Sequence, residues 1–222
     1  MVHKTADTSS KRKRKKLTAD RIAETAINLI DEVGLDNFSF RTLAHRLGCQ
    51  AMSIYHYYPS KAHLYEALVV LCLAEIPVPP IDLPWRERLR QTAHSIRKAA
   101  LDHPGFFLYL AIFRMNNHAG LDFLNHILRI FEELGCDPLL RARQFRTLSY
   151  YIMGAGLDEA MGYAHGPSAV EPVPSEQAAR EFPAIMAVGP YFGEAHHAGI
   201  FDYGLELMLD RFEVEAKAYD DS

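Results

Sequence analysis

From Thr18 to Phe212 the apolar residues of this chain return every three or four positions, and no stretch alternates apolar and polar as a strand would. That periodicity restricts the fold to packed helices. The first stripe runs through Ile22, Ala26, Leu29, Ile30 and Val33. Thr18 suits its N-cap, and Asp20 favours the positive end of the helix dipole. Gly34 is expected to stop this helix in a left-handed conformation, with Leu35 folding back on Ile30. Ser39 is placed to cap a short helix carrying Leu43, Ala44 and Leu47, which Gly48 ends. After the turn Gly48 to Gln50 comes a second short helix with only Ile54 and part of Tyr55 for a core. Pro59 and Ser60 break it and open a helix bearing Leu64, Leu68 and Leu71.

Pro77, Pro79, Pro80 and Pro84 then mark a rigid connection. Trp85, Leu89, Ile96 and Ala100 form the next stripe, stopped before Pro104. Phe106 to Phe113 is apolar all round and is expected to be deeply buried. Leu121, Leu124, Leu128 and Phe131 follow, ended by Gly135 and Pro138. Leu139 to His165 reads as one long helix, Gly166 to Ser175 as a loop, and Ser175 to Val188 as a weaker helix interrupted at Pro183. Phe201, Leu205, Met208, Leu209 and Phe212 complete the pattern. The expected fold is all-α with nine or ten helices: a three-helix head over residues 17–62, a larger helical bundle over 63–222, and a disordered basic arm over 1–16.

Net charge is −4 but is unevenly spread. Residues 1–62 carry 11 Lys or Arg against 6 Asp or Glu, whereas residues 63–222 carry 13 against 22. A basic head on an acidic body implies that only the head meets a polyanion. Three scattered cysteines, Cys49, Cys72 and Cys136, suggest neither a disulfide framework nor a metal site and fit a reducing cytoplasm. Met1 to Ser10 lacks an apolar signal core, and Leu68 to Val78 is too short to cross a membrane and contains Glu75. A cytoplasmic protein with no membrane partner is expected. Gly154-Ala-Gly156 follows no strand, His196 and His197 are adjacent rather than a turn apart, and no Gly-x-Ser-x-Gly elbow occurs. Dinucleotide, metal and serine-hydrolase chemistry therefore have no support, and no catalytic residue, cofactor or metal ligand is assigned.

Two short helices joined by a tight glycine turn, the first with a packed face and the second with almost none, make a helix-turn-helix. In this arrangement the first helix packs against the body and the second enters the major groove. The run from Phe38 to Tyr65 resembles the DNA-binding region of TetR-type transcriptional regulators. Leu43-Ala44, Leu47-Gly48, Tyr55 followed two residues later by Tyr57, and Lys61 before Leu64 carry the resemblance. It covers residues 17–70 well, and the remainder only in its helical layout and in the stretches Leu148 to Glu159 and Phe201 to Phe212. Tyr57 stands where the family often has histidine, and position 50 lacks the glutamate of some members.

The resemblance implies a set of roles. Arg41 and Gln50 reach base edges or the adjacent backbone, with Thr42 and Ala51 beside them. Met52 and Ser53 meet a thymine methyl or a base edge. Tyr55, Tyr57 and Lys61 hold phosphates, which fixes register without reading sequence. His56 is either a contact to DNA or a solvated surface residue. The run Lys11 to Lys16 either attracts the phosphate backbone or follows the minor groove.

The resemblance also implies a pocket for a small molecule in the body. Phe107, Phe113, Met115, Asn117, Phe131, Tyr150, Tyr151 and Met153 are the candidates to line it, with Arg114 and His165 nearby in sequence. At helical spacing the same residues equally describe an ordinary core. The two family-like stretches imply a dimer built from Gly154, Leu157, Phe201, Leu205, Leu209 and Phe212. The expected function is ligand-released binding of a palindromic operator by a homodimer. Activation in place of repression, a constitutive DNA-binding protein without effector, and an enzyme carrying a DNA-binding head are the competing readings.

Overall fold

The computed structural model of the chain describes residues 16–113, 115–162 and 170–220. Eleven α-helices and no strand occur among them. In the head, α1 (Ala19–Val33), α2 (Phe40–Leu47) and α3 (Ala51–Tyr55) bury Ile22, Ile30, Phe38, Leu43 and Ile54 together. Local chemistry sets each boundary. The Thr18 hydroxyl accepts the backbone N–H of Arg21 at 3.2 Å and starts α1. Ser39 and Thr42 form a reciprocal capping box at the start of α2. Gly48 ends α2 in the left-handed region, at φ 68° and ψ 36°, where a side chain would be strained. Gly34 also has a positive φ, 78°, but its ψ of 161° is extended, so α1 ends through the single bond from Gly34 N–H to the Ile30 carbonyl.

Helix α4 (Lys61–Ala74) is continuous from the head into the body, packing on α1 at one end and on α7 further along. Residue 62 lies in its first turn, so this helix belongs mechanically to both parts. The body comprises α5 (Trp85–Asp102), α6 (Pro104–Ile112), α7 (His118–Glu132), α8 (Pro138–Leu157), α9 (Ser175–Glu181), α10 (Pro183–Val188) and α11 (Glu194–Asp220). The expected long helix from Leu139 to His165 is shorter: α8 ends at Leu157 and passes into a wider π turn over Asp158–Gly162. Helix α6 is not buried all round, as its composition led one to expect. Phe106, Phe107 and Leu110 are buried, whereas Ile112 is 75% exposed. The reason is geometric: α6 packs mainly on α1, α5 and α8, with Tyr65 of α4 against Phe106 and Tyr109, and Ile112 at its end is left outside these contacts.

A charged ladder runs along the seam between α5 and α11. Arg86 pairs with Glu206 at 2.6 Å and Asp210 at 2.5 Å, and Arg90 pairs with Glu206 at 2.7 Å. Hydrogen bonds from Arg90 and Arg86 hold the Glu206 carboxyl down at about 2. Arg97 grips Glu159 of the π turn at 2.5 Å. Beneath the ladder, Phe201, Leu205, Leu209 and Phe212 of α11 are at most 3% exposed. This ladder fixes α11 against α5 of the same chain.

Candidate functional site

In the head, α3 presents a surface rather than a core element. Ile54 is its one buried side chain, while Met52 is 65%, Tyr55 44% and Tyr57, just beyond it, 42% exposed. Phe40 props the Tyr55 ring edge-on at a centroid distance of 4.9 Å, so the ring is oriented but its outer face is open. Arg41, Gln50 and His56 are exposed, and Ala51 and Ser53 half-buried. Arg41 makes no ion pair among the described residues, whereas Arg46, one turn on, is taken up by Glu32 at 2.5 Å. An open groove of about 690 Å³ runs beside α3, lined by Lys16, Arg21, Gly48, Gln50 and Ser53 among others. The sequence reading missed Arg21, because its place on α1 gives no hint that the chain before α1 lies alongside α3. Of the expected arm, Lys11 to Lys15 fall outside the described residues.

Three expected DNA contacts are engaged within the protein here. The Thr42 hydroxyl completes the α2 cap, donating to the Ser39 carbonyl at 2.7 Å. The Tyr57 hydroxyl donates to the Leu17 carbonyl at 2.9 Å, and the Lys61 ammonium donates to the Phe38 carbonyl at 2.5 Å. Tyr57 thereby ties the entry of α1 to the exit of α3. Lys61, with its ammonium also 5.6 Å from the centre of the Phe38 ring, pins the loop between α1 and α2 to the start of α4. An ammonium has three donors, so Lys61 keeps others for a phosphate.

In the body, the candidate ligand residues separate. Phe107 and Phe131 are at most 1% exposed and fully packed, the latter against Phe145 and Phe212. A ring enclosed on all sides has no face for a ligand. Phe113 leans on Tyr109 at 5.7 Å, and Asn117 caps α7 while donating to Glu66 of α4 at 2.6 Å. Tyr150 points outward, 65% exposed, with Arg146 across its ring. The Tyr151 hydroxyl donates to the Phe201 carbonyl at 2.8 Å, and burial pushes its pKa up. Tyr150 and Tyr151 line an open concavity of about 560 Å³ that includes Phe192, His197 and Ile200. Met115 and Met153 alone of the eight line a cavity of about 60 Å³ bounded by α5, α7 and α8. A second cavity of about 30 Å³ shares its walls Thr92, Phe123 and Ile127 and reaches Pro77, Val78, Pro79 and Arg88. Arg114 and His165, near the candidates in sequence, lie outside the described residues.

Four of the six expected dimer residues are already buried within the chain itself. Phe201, Leu205, Leu209 and Phe212 are consumed by their own protomer, because α11 lays that stripe on the core. The neighbouring stripe of the same helix, Ile200, Tyr203, Leu207 and Val214, is 51–70% exposed. On α8, Gly156 serves a close approach within the protomer: a Cβ there would meet the Phe107 ring at 2.9 Å. Gly154 instead faces open space, and Leu157 is half-buried.

Comparison with known proteins agrees with this geometry. Residues 22–68 match the model of "Bacterial regulatory proteins, tetR family", and residues 78–215 match "Tetracyclin repressor-like, C-terminal domain". Tetracycline repressor protein class A from transposon 1721 of Escherichia coli is 31% identical over 205 residues, spanning 88% of this chain and 90% of its own length. A possible TetR family transcriptional regulator from Streptomyces coelicolor A3(2) superposes with a TM-score of 0.73 at 25% identity, covering 89% of this chain and 99% of its own. A TetR variant from Acinetobacter baumannii AYE, solved in complex with minocycline, agrees in fold with a TM-score of 0.67 at 24% identity, over 90% of this chain and 99% of its own. With both its head and its body matched in order, the chain belongs to the TetR family of transcriptional regulators.

Proposed function

We propose that this chain is a repressor that binds a palindromic operator as a homodimer and is released when a small apolar or amphipathic effector enters the body. The observation that carries the reading is α3, which buries Ile54 alone and turns Gln50, Met52, Tyr55 and His56 outward beside a groove edged by Lys16 and Arg21. A helix that contributes so little to its own core has its other faces free for base edges and phosphates. The repressor naming of the Escherichia coli relative favours repression over activation. No helix is long and apolar enough among the described residues to cross a membrane, and the protein is read as acting in the cytoplasm, where its DNA is.

Support for a homodimer comes from apolar surface that one protomer leaves uncovered. Beside the α11 stripe, α9 and α10 bury no side chain at all, and Phe182, Ile185, Met186 and Val188 are all exposed. Exposed apolar side chains gathered on neighbouring turns of a helix suit an interface. A second copy provides a matching stripe by symmetry. Two reading heads then have to lie about 34–36 Å apart to enter successive major grooves.

Support for effector control comes from the two ends of α4. Lys61 is bonded to the head, and the segment Pro77-Val78-Pro79 just beyond the other end lines a cavity of the body. The Asn117–Glu66 hydrogen bond ties α4 to α7 in between. A molecule that widens the cavities displaces this anchor, and a small tilt of a helix of 14 residues moves its far end by several ångströms. The test is selection of duplexes from a random pool by the purified protein, followed by a screen for small molecules that release the selected duplex. A palindromic consensus released by a small molecule supports the reading. Retention of all sequences alike would overturn it.

A further inference from the structure

The inner cavities carry one buried cation whose hydrogen bonding is incomplete. Arg88 of α5 is 7% exposed. Its Nη1 donates to Glu133, which stands at the solvent side and is 44% exposed. Its Nε is buried with no partner. A guanidinium stays charged at any physiological pH and offers its donors as a planar fork. A buried N–H without an acceptor is normally avoided, so the vacancy at Nε calls for an acceptor.

The surroundings say which acceptor. Arg88 lines the smaller cavity, which meets the larger one at Thr92, Phe123 and Ile127. Among the described residues neither cavity has an Asp or Glu in its wall; besides Arg88 the titratable group there is His126. The Thr92 hydroxyl donates to the Arg88 carbonyl at 2.8 Å, so its proton is already used. Beyond this polar end the wall is apolar, with Leu89, Ile96, Phe123, Leu148 and Met153. A site with one positive end and a long apolar remainder is complementary to an amphipathic anion. The fork of an arginine fits a carboxylate through two parallel hydrogen bonds.

We infer that the effector is a carboxylic acid with an aryl or alkyl body, its carboxylate held by Arg88 and its body wedging apart α5, α7 and α8, whose cavities of about 60 and 30 Å³ must widen to admit it. This inference rests on the reading of the body as an effector domain. The anion seat adjoins Pro77-Val78-Pro79, so filling it acts on the exit of α4 directly. Glu133 is the internal competitor: from the Nη1 side its carboxylate already offsets the guanidinium charge that attracts the effector.

The test uses a matched pair, 4-phenylbutyrate and 4-phenylbutanol, titrated calorimetrically into the full-length protein. The carboxylate is expected to bind at least tenfold more tightly than the alcohol. Arg88→Met is expected to reduce that preference to less than twofold. Glu133→Gln, which changes only a half-exposed carboxylate, is expected to raise the affinity for 4-phenylbutyrate severalfold, and it decides the matter should Arg88→Met fail to fold. Equal binding of the pair, a preference that survives Arg88→Met, or no gain in Glu133→Gln overturns the inference. Binding of neither compound also overturns it, whereas the wider reading stands or falls separately on release of the selected duplex by other molecules.

Discussion

His103, at the joint of α5 and α6, places its Nδ1 2.9 Å from the Asp31 carboxylate of α1. Its Nε2 lies 3.1 Å from Glu75, just past the end of α4. The other Asp31 oxygen accepts the backbone N–H groups of Gly105 and Phe106 at 3.0 and 3.2 Å, so a head residue caps α6 of the body. A Cβ at position 105 would run into the Ile30 carbonyl, which is why the approach needs glycine. Head and body are thus latched at the point where α1, α4 and α6 meet.

The latch should respond to pH. The Asp31 hydrogen bond pushes the His103 pKa up, with Glu75 adding and burial opposing. A raised folded-state pKa means that the stabilisation is fully present below the unfolded value of about 6.5 and is lost as pH rises through the folded value. His103→Gln should therefore cost about 1.5–3 kcal/mol at pH 6, the range for hydrogen bonds to charged groups, and less at pH 9. Urea unfolding of both proteins at the two pH values checks this. A difference independent of pH would contradict the charged latch.

Substitutions on the reading face should separate base readers from phosphate holders. Gln50→Ala should cost about 1–3 kcal/mol against the selected operator and relax preference at one base pair. Arg41→Ala should lower the slope of log affinity against log salt by about 0.9 if Arg41 neutralises one phosphate. Affinities measured over a salt series on matched and mismatched duplexes distinguish the two. A Gln50→Ala protein with unchanged preference would remove Gln50 from the readout.

On α11 the two stripes should behave oppositely. Tyr203→Asp with Leu207→Asp puts charge only on the outer stripe, and it should yield folded monomers in sedimentation at micromolar concentration. Leu205→Asp puts an unpaired charge at a position that is 0% exposed, and it should unfold the protomer rather than split a dimer. Circular dichroism alongside sedimentation reads both outcomes. A folded monomer from Leu205→Asp, or a dimer that survives the outer pair, would contradict the assignment.

These contrasts show what the sequence could carry. Helical spacing located every helix core of the head, and Ser39, Gly48 and Ile54 sufficed to place the two short helices, because caps and turns are local chemistry. Which stripe of α11 faces inward was not legible. Ile200, Tyr203 and Leu207 are as apolar as Phe201, Leu205 and Leu209, and the ladder of Arg86 and Arg90 that decides between them joins residues about 120 positions apart. Arg88 was hidden for the same reason. Its burial depends on Glu133 and on the proline segment, and in the sequence it is one more charge on α5. Tyr57 and Lys61 read as free donors because their partners, Leu17 and Phe38, are backbone carbonyls, which leave no mark on composition.

The central claim is that effector and operator compete through α4. It is tested most directly by titrating an effector, identified by its release of the selected duplex, into the protein with and without that duplex. Linkage requires the duplex to weaken effector binding by the same factor by which the effector weakens DNA binding. The account predicts at least a tenfold loss, about 1.4 kcal/mol, in the presence of saturating duplex. Equal effector affinity in the two titrations would contradict it.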